Sequence, residues 1–183
     1  MASKNDRQIR FQLSNSDYKA FGRYRILYTK SGRRLINRQR FTYALSGALL
    51  ALLFTVFKVD ASFTRLVYII AAVIGIGGIV FADKLVLKQQ NAAIEADADN
   101  PGRVHPLENI ITFEEDFMHT KAGDDEQRFS YSDIKQVDMT EDAIYVWMSD
   151  TMIMPLPLHA FKSEKAMEEL YKWISDKTEK SGS

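Results

Sequence analysis

The chain has few residues equipped for chemistry, and their spacing works against it. Histidine occurs at His105, His119 and His159, and none stands at metal-ligand spacing from another histidine or from a carboxylate on the same face. Glu114-Glu115-Asp116 and Asp124-Asp125-Glu126 supply carboxylates of the type that pair in glycoside hydrolysis. Both clusters fall in turns between β-prone segments, where such charge is solvated. Asp97, Asp99, Gly102, Val104 and Glu108 follow the spacing of an EF-hand calcium loop, but Pro101 stands where a side-chain oxygen is needed. The "NIITF" that follows reads as strand where the motif needs helix, so a solvated linker is expected there. "GIGG" at 75–78 lacks the preceding strand and the following Lys-Ser/Thr pair of a phosphate loop. The absence of cysteine excludes a disulfide framework, a thiolate zinc site and a cysteine nucleophile. No catalytic residue, metal or cofactor is expected, and the chain reads as non-enzymatic.

What dominates instead is a pair of apolar runs. Phe41 to Phe57 and Leu66 to Ala82 each hold 17 residues without a charge. As helices they cover roughly 25 Å of a hydrocarbon core about 30 Å thick. Extension to Val59 and back to Phe63 closes the deficit, with Lys58 and Arg65 reaching the interface by their long stems. Small residues recur at helical spacing in both: Ala44, Gly47, Ala48 and Ala51, then Ala71, Gly75, Gly78 and Ala82. They let two helices approach closely, within one chain or in a homo-oligomer. No ionisable group occupies the middle of either span, unlike a transport pathway or proton relay. The first run also starts too deep in the chain for a cleavable signal peptide.

The formal net charge of zero conceals a division. Residues 1–40 carry +9, residues 41–82 carry +1 and residues 83–183 carry −10. Seven basic residues lie between Arg23 and Arg40, and Lys84 and Lys88 follow the second run, so both termini are expected in the cytoplasm and "KVDASFTR" outside. Arg33, Arg34, Arg38 and Arg40 are the expected membrane-surface residues, each worth about 1 kcal/mol beside an anionic leaflet. Nucleic acid is not an expected partner, since no nucleic-acid motif accompanies the cluster.

The elements around the spans divide the chain further. Residues 1–40 hold a short strand, "IRFQL", and a basic amphipathic helix ending at Ser31-Gly32. That helix is expected on the membrane surface or against the cytoplasmic domain. Residues 41–82 form the transmembrane hairpin, and 83–106 a helix extension broken at "DNPG" plus a linker. From 107 to 177, "LENIITF", "FMHTK", "QRFSY", "IKQVDMT", "AIYVWMS" and "TMIMPLP" alternate as strands of an antiparallel meander. Ser163 caps a closing helix whose Met167, Leu170, Tyr171 and Ile174 form a buried face. Residues 178–183 are a tail. The 107–177 unit is expected to fold by itself. Tyr145 and Trp147 share the strand face opposite Ile144, Val146 and Met148, and are the candidate partner-docking residues if nothing covers that face.

The stretch "ITFEEDFMHTKAGDDEQRFSYSDIKQVDMTEDAIYVWMSDTMIMPLPLHAFKSEKAMEELYKWI" resembles the C-terminal domain of the YcxB-like family of bacterial membrane proteins. The residues carrying this are Phe113 and the acidic turn, Tyr131-Ser132-Asp133-Ile134, Ile144 to Met148, Pro157, Ala160-Phe161 and Ser163. "SDYKAFGRY" before the spans fits as well. The resemblance implies an α+β membrane protein: a two-helix transmembrane hairpin with a small, bent, antiparallel, pleckstrin-homology-like sheet closed by a C-terminal helix. The expected location is a bacterial plasma membrane, multi-pass, with membrane lipids around the hairpin and basic flank. The expected role is a membrane-anchored interaction module, an adaptor or regulator with an unidentified protein partner. The alternative is a small membrane-bound enzyme or an accessory subunit of a transport complex. Inositol-phosphate-binding pleckstrin-homology domains present Lys and Arg at the first hairpin; here "EEDF" is expected in that place, which argues against lipid capture.

Overall fold

The computed structural model describes residues 7–56, 60–99 and 107–181. The expected reach of the first helix to Val59, His105, and Gly102 and Val104 of the linker lie outside the described residues. The chain forms two units, one from residues 1–18 with 102–183 and one from residues 19–101.

The second unit is helical. Helix α1 (Asn15–Tyr28) opens with Asp17 taking hydrogen bonds from the Ser14 N–H at 2.7 Å and the Ser14 hydroxyl at 2.6 Å, which satisfies a free N-terminal donor. Helix α2 (Lys30–Val56) follows after one residue. Ser31-Gly32 therefore does not stop a helix; the break is at Thr29, and the glycine lies inside the first turn of α2. Thr29 Oγ1 accepts from the Gly32 N–H at 3.0 Å and donates to the Arg25 carbonyl at 2.5 Å. A Cβ on Gly32 would lie 2.3 Å from the carbonyl oxygens of Arg25 and Ile26. Glycine is needed there for close approach of two helix ends.

Helix α3 (Ala61–Ala98) continues past the apolar run, as the sequence indicated, and is capped by Asp60, which accepts from the Ser62 N–H. Helices α2 and α3 are both long and apolar enough to cross a membrane. They run antiparallel: Phe54 meets Phe63, the Thr55 and Tyr68 hydroxyls lie 2.7 Å apart, and Ile36 clusters with Ala82. A Cβ on Gly47 would stand 2.7 Å from the Ala71 carbonyl oxygen and 3.0 Å from Gly75 Cα. The small residues thus set contact between the two helices of one chain. Their outer faces stay open, with Phe41, Leu49, Leu52, Val56, Ile69, Val73 and Ile76 each more than half exposed. Helix α1 lies along the polar part of α3, where Lys19 pairs with Glu95, Gly22 faces Gln90, and Ile26 joins Ala82 and Val86.

The first unit is α+β. All six alternating segments form strands: β2 (Glu108–Phe113), β3 (Phe117–Ala122), β4 (Asp125–Ser130), β5 (Gln136–Met139), β6 (Ala143–Trp147) and β7 (Ile153–Pro157). They make two antiparallel sheets, and the N-terminal strand β1 (Gln8–Gln12) completes the larger one in the order β1-β2-β3-β4, with β5-β6-β7 as the smaller. The pairing runs from Gln8 opposite Thr112 to Gln12 opposite Glu108. Phe11 is 6% exposed in the core with Ile111, Phe113, Met118, Ile144 and Leu156, and Ile9 and Leu13 pack against it. Strand β1 therefore shares a sheet with residues that the sequence reading placed in a separate segment. One consequence is a correction: the acidic turn Glu114–Asp116 joins the second and third strands, not the first two, because β1 precedes them. Helix α4 (Glu164–Ser181) closes the unit; Ser163 Oγ accepts from the Ala166 N–H, and Met167 and Ile174 are buried as expected.

Candidate functional site

The α+β unit carries a groove of about 410 Å³ between the start of β1 and the first half of α4. Ile9, Phe161, Leu170 and Trp173 give it apolar walls, and Arg7, Lys162 and Glu169 supply its charges. Trp173 anchors it. Its ring meets Tyr131 edge-on at 5.3 Å and Phe113 edge-on at 6.2 Å, and the Arg7 guanidinium stacks over it at 4.5 Å. Tyr131 is buried, and its hydroxyl donates to the carbonyls of Glu114 at 3.0 Å and Phe117 at 3.3 Å. Burial pushes this phenol well above its ordinary 10.0, while Arg7 acts in the opposite sense. The arrangement gives a rigid aromatic wall with a positioned cation on it, suited to binding.

The residues singled out in the sequence are distributed differently. Arg33, Arg34, Arg38 and Arg40 are exposed on the first turns of α2, next to its apolar stretch. Tyr145 is 1% exposed, so the face opposite Ile144 is covered at that residue. Trp147 is half-buried and donates its indole N–H to Asp138 Oδ2 at 3.1 Å. His119 Nδ1 lies 3.3 Å from Glu126 Oε1, and His159 Nδ1 lies 3.5 Å from Asp17 Oδ1, so the two histidines serve separate pairs. Glu115 pairs with Lys177 at 3.3 Å. Among the described residues no three His, Asp or Glu side chains gather as metal ligands.

Comparison with known proteins bears on the same surface. Residues 113–174 match the family model described as YcxB-like protein. This stretch is similar to that family. The match, about a third of the chain, bears out the resemblance from the end of β2 into α4; the N-terminal "SDYKAFGRY" lies outside it. Neither the curated proteins nor the solved structures yield a match. The YcxB-like stretch contains Tyr131, Phe161, Leu170 and Trp173, whereas Arg7, Gln8 and Ile9 reach the groove from outside it. Sequence reasoning missed Trp173 because it flanks the four-residue face chosen for α4. The visible signal was Trp173 spaced three residues beyond Leu170, which widens that apolar stripe.

Proposed function

We propose that the protein is a membrane-anchored interaction module: α2 and α3 cross the membrane as a hairpin, and the α+β unit on the cytoplasmic side binds a partner as an adaptor or regulator. The observation that carries this reading is the pairing of β1 with β2 across both apolar helices. Two paired strands lie on one side of a bilayer, so the helices between them cross it an even number of times. The open apolar faces support the crossing. Leaving a Leu, Ile or Phe in water forfeits about 1.5–3 kcal/mol per fully exposed side chain. For the seven half-exposed residues named above the loss is on the order of 10 kcal/mol, as large as the whole stability of a typical domain. Hydrocarbon removes that penalty.

The basic flank supports the orientation, with the arginines at the start of α2 held at the inner leaflet. Four antiparallel strands, then three, then a closing helix support a pleckstrin-homology-like reading of the α+β unit. In that reading the connection between the first two strands, where inositol-phosphate binders place Lys and Arg, is the segment that holds α1, α2 and α3. The fold alone does not supply the function.

The test uses the cysteine-free background. Cysteines at Ser62 and Ser132, both exposed positions, are treated in intact cells with a membrane-impermeant thiol reagent. Labelling of Ser62→Cys alone is expected; labelling of Ser132→Cys alone reverses the orientation, and equal labelling of both removes the membrane barrier between them.

A further inference from the structure

We propose that the groove between β1 and α4 binds an extended, acidic peptide segment of a partner protein, an inference that rests on the α+β unit being an interaction module. The first argument is the register of β1. The Phe113 N–H donates to the Arg7 carbonyl, so residues 7, 9 and 11 exchange hydrogen bonds with β2. In an antiparallel ladder the alternate residues then direct their peptide groups outward. The backbone N–H and C=O of Gln8 and Arg10 accordingly face away from β2 on an edge strand, and among the described residues nothing pairs with them. Gln8 itself lines the groove. A peptide backbone satisfies such groups; a lipid headgroup has no matching row of amides.

The second argument is charge. The C-terminal segment carries −10, yet the groove is lined by two cations, Arg7 and Lys162, against one acid, Glu169. The Arg7 guanidinium lies over the Trp173 ring at 4.5 Å, and among the described residues no acceptor takes its N–H groups. A guanidinium resting on an aromatic ring keeps its N–H groups available to a carboxylate and gives up less side-chain entropy on meeting one. The apolar walls of Phe161 and Leu170 then take an aliphatic or aromatic side chain from the same peptide. A second copy of the chain docking through its own β1 would set Arg7 and Arg10 against the same cations, which disfavours it.

The test pans the full-length chain in detergent against phage displaying random dodecapeptides, then titrates the most enriched peptide, fluorescently labelled, by anisotropy. Enriched sequences are expected to place a carboxylate near an aliphatic or aromatic residue. Arg7→Leu should weaken binding about ten- to a hundredfold, the loss of a charged hydrogen bond. Lys162→Glu on the exposed rim, and Ala166→Phe filling the groove, should also weaken it while the melting temperature holds. The proposal is overturned by the absence of enrichment over detergent alone, by enriched peptides lacking acids, or by unchanged affinity in both Lys162→Glu and Ala166→Phe. Displacement of the peptide by an equal concentration of dihexanoyl phosphatidylglycerol would transfer the groove to lipid and overturn it as well. The assay needs no bilayer, so its failure is distinguishable from failure of the thiol-labelling experiment.

Discussion

Removing β1 should unmake the α+β unit even though its remaining strands are contiguous in sequence. The largest single contribution is Phe11, 6% exposed among Ile111, Phe113 and Met118. Emptying a buried Phe site costs about 3–5 kcal/mol through lost transfer energy and the cavity left behind. Ile9 and Leu13 lose their contacts in addition, and β2 is left with an unpaired edge. Against a stability of about 5–15 kcal/mol for a domain of ordinary size, that loss consumes most of the margin. A fragment of residues 107–181 is therefore expected to aggregate or melt without cooperativity. The same fragment with residues 7–14 joined to its N-terminus by a flexible glycine-serine linker should be monomeric and melt cooperatively. Within the joined form, Phe11→Ala should lower the melting temperature by more than about 12 °C, since 1 kcal/mol shifts a unit of this size by about 4–8 °C. Circular dichroism melts and size-exclusion chromatography read both. Equal melting temperatures for the two fragments would refute the reasoning and show that β1 is dispensable.

Gly47→Leu should lower the thermal stability of the detergent-solubilised protein, because its Cβ meets backbone of α3, whereas Gly77→Leu, whose Cβ meets nothing within 4 Å, should leave the melting temperature unchanged. Equal effects would contradict the assigned helix faces. Tyr131→Phe should cost about 1 kcal/mol at neutral pH through the two lost carbonyl contacts, measured by chemical denaturation of the strand-joined fragment. It should also change the alkaline limb. With the folded phenol raised above 10.0, the unfolded chain releases its proton first, so stability is full below pH 10 and falls as pH rises toward the folded value. The variant should lack that share of the loss, and parallel wild-type and variant curves above pH 10 would disprove the burial argument.

The sequence was legible wherever a signal is local. The six strands after residue 107 alternate and are punctuated by acidic turns, and each formed; Ser163 marked its helix start; the two apolar runs became the two long helices. What escaped depends on contacts distant along the chain. "IRFQL" reads as a strand by itself, but nothing within it states that its partner is "ENIITF", about a hundred residues away. Ser31-Gly32 has the composition of a helix stop, and only the approach of Arg25 and Ile26 shows that the glycine makes room for a neighbouring backbone. Alternation in "AIYVW" implies one buried face, yet residues 143–146 are all buried, so Tyr145 offers no open surface. The groove was hidden for the same reason: Arg7 and Trp173 lie at opposite ends of the chain and meet only in the fold.

The pairing of β1 with β2 also orders events during synthesis. Strand β1 leaves the ribosome first, and about 95 residues, including both apolar helices, must follow before β2 exists to receive it. At about 5–20 residues per second the strand waits roughly 5–20 s with Phe11 uncovered. Arg7 and Arg10 precede that phenylalanine by four residues and one, and their charge opposes strand-to-strand association with neighbouring nascent chains. The sheet cannot close until the second apolar helix has been made, so a chain stalled between the two strands carries an unfinished α+β unit and is distinguishable from a mature one by any protease that reads exposed strand.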